Sequence, residues 1–311
     1  MPTLAPAYPL LPLTTGRAKA LLWSWLATSW PVPVAGVSRF LVAREAVSAW
    51  RQLDDAPQLF LALGILADQS ATAGEAAASR AALDEGRRRE DPQWPPRLRH
   101  RFAYHASHTS CLLGDVEAYR VGVREELALA EAAGADYAAS LARYRLADAA
   151  LMAGDVEDAT TLGYAVVEEQ RTRFARSKLG AALSNLCGAL LMRDDLEAAR
   201  MAAREAWPEM VATGGFGYLL AHLALLGVRL DRFEAAAQML GRIDAWSEAT
   251  QNSLESEARS VQLAVEGMAA VLQAEELAEL RAAGRLLSEE QTEALVQSVL
   301  ESQPHAGPAG E

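Results

Sequence analysis

The chain has 311 residues and carries 29 Lys and Arg against 41 Asp and Glu, which gives a formal net charge of −12. This acidic balance, without a basic cluster, disfavours nucleic-acid phosphates as partners, and a hydrophobic fraction of 51% excludes a generally disordered chain. Abundant Ala, Leu, Arg and Glu with only 6% aromatic residues predict an all-α protein, because a sheet would need more β-branched and aromatic residues.

The N-terminal region predicts an extended segment followed by a first helix pair. Residues 1–16 contain four prolines and are expected to be extended or disordered, whereas residues 17–29 and 37–53 have helical patterns. Residues 20–37 carry no charge and approach the length of a membrane span, but two prolines interrupt them. A Trp-rich helix packed on the fold is therefore favoured over a span or a signal peptide.

A turn signal recurs through the middle of the chain with spacings of 40, 40, 40 and 37 residues. The equivalent positions are Gly74, Gly114, Gly154, Asp194 and Asp231. Glycine suits the left-handed residue that closes a helix, and the acidic residue that follows several of these positions can cap the next helix. The pattern predicts antiparallel helix pairs with a period of about 40 residues over residues 17–250.

Each predicted pair has a first helix before the turn and a second helix after it. The first helices are expected near residues 57–72, 97–113, 137–153, 177–192 and 216–229. The second helices are expected near residues 76–90, 116–133, 156–173, 196–212 and 233–248.

The repeat ends near residue 250, and residues 251–300 are predicted to form C-terminal capping helices. Ser253 can start one helix, and a capping box of Ser288 and Gln291 can start the last one. A cap is expected because helical repeat arrays need atypical end units. Residues 301–311 have no apolar period and are expected to be disordered.

The stretches at residues 146–159, 186–199 and 223–236 resemble the tetratricopeptide repeat, lengthened from its usual 34 or so residues. The resemblance implies a right-handed α-solenoid. Residues 232–246 and 274–296 are similar to the C-terminal end of large bacterial signal-transducing regulators, in which a DNA-binding domain and an NTPase domain precede a tetratricopeptide-like region.

The resemblance implies only the sensor or scaffold part of such a regulator. The chain has no G-x-x-x-x-G-K-[ST] loop and no basic recognition helix, so NTPase activity and DNA binding do not carry over. Whether a DNA-binding and NTPase portion precedes the sequence stays open.

Residues suited to catalysis or metal binding are few. His105, His108 and Cys111 are spaced i, i+3, i+6 on one predicted helix, but successive steps of three drift about 60° around the axis, so core or groove positions are favoured over a metal site. Cys111 and Cys187 are predicted to be small buried thiols in a reducing compartment, and a cytoplasmic location is expected. We expect no enzyme activity, cofactor or metal, and an enzyme on a helical toroid is the least favoured alternative.

The first helices are expected to line a concave groove, because stacked helix pairs place them on the inner face. The candidate groove residues lie six and ten positions before the turn residues. A few neighbours one helical turn away are included. The full set is Asp68, Arg101, Tyr104, His108, Tyr144, Asp148, Ser184, Tyr218 and Arg229. Tyr104 and Tyr144 fit either the groove or the core between repeats.

We therefore predict a non-enzymatic module that binds a peptide, a protein or a small effector, without direct contact with nucleic acid or membrane. The alternative is a stand-alone adaptor that acts through homo- or hetero-oligomerisation, with Trp23, Trp25 and Trp30 as its contact patch.

Overall fold

The computed structural model describes residues 15–28, 38–173, 178–250, 252 and 254–302. Within these ranges the chain forms fifteen α-helices and no strand, which confirms the predicted all-α class. None of these helices is long and apolar enough to cross a membrane. Residues 1–14 and 303–311 lie outside the described ranges, as do the predicted contact residue Trp30 and the predicted helix start Ser253.

The helices follow the predicted pairs to within a few residues at each end. The first six are α1 (Gly16–Thr28), α2 (Arg39–Gln52), α3 (Ala56–Thr72), α4 (Ala76–Arg89), α5 (Pro96–Leu112) and α6 (Val116–Ala132). The next six are α7 (Asp136–Ala153), α8 (Val156–Thr172), α9 (Leu179–Met192), α10 (Leu196–Thr213), α11 (Phe216–Arg229) and α12 (Phe233–Thr250). The last three are α13 (Ala258–Ala269), α14 (Ala274–Arg285) and α15 (Glu289–Leu300).

The turns between paired helices confirm that glycine and aspartate are equivalent in the repeat. Gly114 and Gly154 both have φ of 74°, and Asp194 and Asp231 have φ of 61° and 59°. All four residues are in the left-handed region, which glycine enters freely and aspartate more readily than most other residues. One backbone turn thus recurs although its residue type changes.

A Gly-Asp or Asp-Asp turn predicts an aspartate side-chain cap for three of the second helices. The structure has this cap in two of them. The side chains of Asp115 and Asp195 accept hydrogen bonds from the backbone N–H three residues later, at 3.0 and 3.1 Å. Asp155 makes no such bond, so the predicted side-chain cap is wrong there. The capping box of Ser288 and Gln291 at the start of α15 is confirmed.

The contacts between Cα atoms divide the chain into two compact units, residues 1–142 and 143–311. In the first unit, α3 packs against α2, α4 and α5, and α5 packs against α6, so the first helices of successive pairs lie side by side. Phe60 of α3 stacks on Phe102 of α5 with ring centroids 4.2 Å apart. Gly64 and Gly86 make room for the Phe102 ring, because a Cβ at either position would come within 3.0 Å of it.

The second unit contains the largest apolar core, rich in Leu and Ala from α9 to α12. Here α9 packs against α8, α10 and α11, and α11 packs against α12 and α13. The first helices α9 and α11 therefore pack side by side in this unit, and α13 of the C-terminal segment packs on α11.

The C-terminal helices are attached to the repeats by a close helix crossing. A Cβ at Gly241 of α12 would lie 1.9 Å from the carbonyl oxygen of Arg281, and one at Gly284 of α14 would lie 2.0 Å from that of Gln238. Only glycine fits two backbones at this distance. Gly284, which lies in the stretch 274–296 that resembles the bacterial regulators, thus has a packing role in this chain.

Candidate functional site

In the first unit, predicted groove residues form a hydrogen-bonded cluster between α3 and α5. Asp68 is 7% exposed and accepts hydrogen bonds from the Nδ1 atoms of His105, at 3.1 Å, and His108, at 2.7 Å. The ring of Tyr104 lies nearly parallel to that of His108, with centroids 6.3 Å apart. The residues joined are 37 and 40 positions apart, so the cluster links successive repeats.

The Asp68 carboxylate is already well satisfied. Burial alone would raise the pKa of Asp68, but the hydrogen bonds and charges of His105 and His108 outweigh burial and hold this pKa well below its usual range. His105 and His108 direct Nδ1 to Asp68, while the third residue of the predicted triplet, Cys111, is half-buried on the same helix. No group of three metal-ligating side chains occurs in the part of the chain that the structure describes.

Neither of the two arginines among the predicted groove residues belongs to a hydrogen-bonded cluster between first helices. Arg101 is exposed on α5. Arg229, at the end of α11, is exposed and pairs with Asp194 at 3.0 Å, which places it beside a turn. Both are solvated charges at the surface.

In the second unit, Tyr144 and Asp148 lie one turn apart on α7 and meet Asn185 of α9. The Nδ2 atom of Asn185 donates a hydrogen bond to Oδ1 of Asp148 at 3.1 Å. Tyr144 is half-buried and packs against the apolar core. Burial, together with the charges of Asp148 and Glu257, raises the pKa of Tyr144, and a hydrogen bond with Asn185 opposes this only in part. The phenol therefore stays neutral at physiological pH.

Glu257 is a buried carboxyl group at the start of α13. It is only 3% exposed, and Ser256 Oγ donates a hydrogen bond to its Oε1 atom at 3.2 Å. Its Oε2 atom is buried and has no hydrogen-bond partner among the described residues. Burial, followed by the negative charge of Asp148, raises the pKa of Glu257 to about 8.

Tyr218 of α11 completes the arrangement. It is half-buried and meets the Trp246 ring edge-on, with centroids 4.9 Å apart. Burial and the charges of Glu257, Glu255 and Asp148 raise its pKa to about 12. Because the same charges act on both tyrosines, these side chains share one electrostatic environment. The tyrosine–carboxylate cluster consists of Tyr144, Asp148, Asn185, Tyr218 and Glu257.

Deeper on the same helices are two more buried polar groups. Ser184, a predicted groove residue, is 1% exposed, and its hydroxyl has no hydrogen-bond partner within the described ranges. His222 is fully buried against Gly188, and its Nδ1 atom is 2.8 Å from Ser260 Oγ. Burial lowers the pKa of His222 to about 4, so its imidazole is neutral at pH 7.

Sequence reasoning missed Asn185, His222 and Glu257. The first two could have been found by a spacing of 37 residues, because Asp148, Asn185 and His222 are each 37 positions apart. The 40-residue period selected Ser184 instead, and the position 40 residues after Asp148 is Gly188, which has no side chain. Glu257 had no signal, because it follows the last repeat and its position depends on how α13 packs on the repeats, chiefly on α11.

A concave region elsewhere in this unit contains two polar side chains that are already engaged by others. It has a volume of about 390 Å³ and is lined in part by Trp207, Phe216, Arg242 and Glu293. Trp207 Nε1 donates to the Glu293 carboxylate, and Arg242 lies over the Phe216 ring, 4.9 Å from its centroid. The tyrosine–carboxylate cluster differs from it in having a buried carboxyl oxygen still unmatched in the described structure.

The predicted tryptophan patch is only partly exposed. Trp25 is 45% exposed, Trp23 is half-buried against the core of α1–α3, and Trp30 lies outside the described ranges. Comparison with protein-family models finds no match, and comparison with curated proteins finds no similar sequence.

Proposed function

We propose that the protein is a non-enzymatic binding module that recognises a peptide, a protein or a small effector through the tyrosine–carboxylate cluster. The observation that carries the proposal is Glu257, whose buried Oε2 atom lacks a hydrogen-bond partner within the described structure and whose charge raises the pKa of two half-buried tyrosines. Buried polar atoms are nearly always satisfied in native proteins, and a bound ligand is one means of doing so.

The helix packing supports a scaffold that presents this cluster. Within each unit, first helices pack on one another and on their own second helices, as in tetratricopeptide-like stacks with right-handed twist. We propose this geometry for the pairs of each unit. It agrees with a role like that of the sensor or scaffold part of a cytoplasmic bacterial regulator.

The cluster also combines the features of a recognition surface. Tyr144 and Tyr218 offer apolar rings with hydroxyl groups, and both residues are half-buried. Tyrosine is enriched among the residues that dominate binding energy. We propose that a ligand contacts these rings and satisfies the buried oxygen.

Peptide selection tests this proposal. A random peptide library is selected on the wild-type protein, and the enriched peptides are assayed against Tyr218→Ala and against Tyr164→Ala, an exposed tyrosine on α8. We expect binding to weaken at least tenfold with Tyr218→Ala and to stay unchanged with Tyr164→Ala. Enriched peptides that bind all three proteins equally would contradict the proposal.

Exposed apolar side chains on α1 and α2 favour oligomerisation as a second candidate. Leu21, Trp25 and Leu41 are 48%, 45% and 51% exposed. Sedimentation velocity over a hundredfold range of concentration tests it. Self-association that Trp25→Ser abolishes would support an adaptor, and a monomer at every concentration would refute homo-oligomerisation.

A further inference from the structure

We propose that the exposed face of α5 in the first unit binds an acidic peptide in an extended conformation, with two carboxylates two residues apart. Arg97 and Arg101 hold the carboxylates, and the rings of Tyr104 and His108 contact the next residue of the peptide. This site is separate from the tyrosine–carboxylate cluster of the second unit and does not depend on the function proposed for that cluster.

Helix α5 is basic in an acidic protein. Its 17 residues include three arginines and three histidines but no aspartate or glutamate, although the whole chain has a net charge of −12. Arg99 is paired with Glu90 at 2.7 Å. Arg97 and Arg101 are exposed, and within the described part of the chain neither forms an ion pair or a hydrogen bond through its side chain. These two guanidinium groups are therefore available to an anion.

The two arginines share one face of α5 with Tyr104 and His108. Steps of four, three and four residues separate these side chains, which keeps them within about 60° of one another around the helix axis. Ala106, which is buried, lies on the opposite side of the helix. The four side chains thus form one stripe along the solvent side of α5.

The carboxylate that contacts this stripe from α3 is already engaged. Asp68 accepts hydrogen bonds from the Nδ1 atoms of His105 and His108. The bond to His108 fixes its imidazole ring, which lies at 9° to the ring of Tyr104. The stripe therefore presents two unpaired guanidinium groups and, beyond them, two nearly parallel rings.

The arginines destabilise the helix that carries them. Arg97 and Arg101 are one turn apart, and like charges at this spacing repel. Arg97 also lies in the first turn, where the helix dipole disfavours a cation and no acidic side chain offsets it. Carboxylates bound to the two guanidinium groups remove this repulsion. Local features that weaken a fold are expected where they serve a function.

The spacing of the arginines selects the ligand. Four residues of helix advance about 6 Å, and two residues of an extended peptide advance about 6.6 Å with both side chains on the same side. Carboxylates two residues apart can therefore each meet one guanidinium group, in the forked geometry that arginine favours. A nucleic acid fits less well, because it continues past the stripe along a chain of net charge −12.

Titration of the ¹⁵N-labelled full chain with acetyl-Glu-Ala-Glu-Leu-amide tests the proposal. In about 0.1 M salt, charges more than about 10 Å away are largely screened, so the stripe dominates. We expect the Nε–H signals of Arg97 and Arg101 to shift with a Kd on the order of millimolar. The signal of Arg80, an exposed arginine on α4, should not shift.

Two further peptides separate spacing from charge. Acetyl-Gln-Ala-Gln-Leu-amide has no carboxylates and should not bind. Acetyl-Glu-Glu-Ala-Leu-amide has the same charge as the first probe, but adjacent side chains of an extended chain point to opposite sides. Only one of its carboxylates can face the stripe, so we expect its Kd to be at least threefold higher.

Substitutions assign the binding to the arginines. Arg101→Gln should weaken binding of the Glu-Ala-Glu-Leu peptide at least fivefold, and the matched control Arg80→Gln should leave it unchanged. The double variant Arg97→Glu/Arg101→Glu should reject that peptide and bind acetyl-Lys-Ala-Lys-Leu-amide instead. All these variants should unfold near the temperature of the wild type, because the substituted side chains are exposed.

Four results would overturn the proposal. The first is the absence of any binding of the Glu-Ala-Glu-Leu peptide, and the second is equal binding of the two isomers, which would reflect charge alone. The third is a double variant that folds but does not take up the lysine peptide. The fourth is a single-stranded oligonucleotide that shifts the Arg97 and Arg101 signals at lower concentration than the peptide, which would assign the stripe to nucleic acid.

Discussion

Replacing Glu257 with glutamine should stabilise the protein, and the gain should grow with pH. In the folded chain Glu257 has a pKa raised to about 8 by burial, against 4.5 in the unfolded chain. Below about pH 4.5 the folded and the unfolded state both hold the proton, so this carboxyl group costs no stability. Between pH 4.5 and 8 the unfolded state releases the proton first, so wild-type stability falls as pH rises.

The size of the effect follows from the two pKa values. Each pH unit between them costs the wild type up to about 1.4 kcal/mol. The cost is about 1 kcal/mol at pH 5 and about 4 kcal/mol at pH 8, where it levels off. Glutamine has nearly the same shape and does not titrate, so the unfolding free energies of the two proteins should diverge by about 3 kcal/mol over this range.

Urea unfolding at pH 5, 6, 7 and 8, followed by far-UV circular dichroism, measures this divergence. The glutamine amide adds an offset that does not depend on pH, so the test is the slope of the difference. Glu266→Gln on α13 is the control and should give a difference that stays flat with pH, because this carboxylate is exposed. If Glu257→Gln also gives a flat difference, Glu257 is not a carboxyl group held neutral by burial.

Three further substitutions test the packing of the site and its support. Tyr144→Ala should lower the unfolding free energy by about 2–3 kcal/mol, since the ring is half-buried against the core, and a change below about 0.5 kcal/mol would show it to be a solvent-exposed groove residue. Asp68→Asn should destabilise by about 1–3 kcal/mol at pH 7, and the difference in unfolding free energy should shrink progressively as pH falls below about 4, because the unfolded carboxylate takes up a proton there while the lowered pKa keeps the folded one charged to lower pH. Gly284→Ala should cost about 2 kcal/mol or more in thermal unfolding, as its Cβ would clash with the Gln238 carbonyl, whereas Ala283→Ser at an exposed position should cost little.

The helices could be predicted from the sequence because their signals are local. The turn positions Gly114 and Asp194 share a left-handed backbone, and the capping box at Ser288 lies within four residues of chain. Such features depend on neighbours in sequence, and a 40-residue recurrence makes them visible. Asp155 was mispredicted because a capping residue type permits the bond but does not enforce it.

The candidate site could be predicted only in part, because its groups come together through packing. Tyr144, Asp148 and Tyr218 were found by their distance from a turn, which fixes their place on a first helix. The same rule selected Arg229, yet this residue is near enough to the turn to pair with Asp194 at the surface. The distance of a residue from the turn predicts which face of its helix it lies on. Its burial and its hydrogen-bond partners depend on the neighbouring helices.

Polar contacts between successive first helices join residues 37 as well as 40 positions apart, so a search at 40 residues alone found them incompletely. Asp68 contacts His105, 37 residues on, and His108, 40 residues on, because two residues one turn apart on α5 both reach it. In the second unit Asp148 accepts a hydrogen bond from Asn185, 37 residues on, while Gly188 at the 40-residue position has no side chain and instead receives the His222 ring. The space beside Gly188 is thus filled by the ring of His222 from the next repeat. The polar contact with Asp148 is made by Asn185, one turn before Gly188.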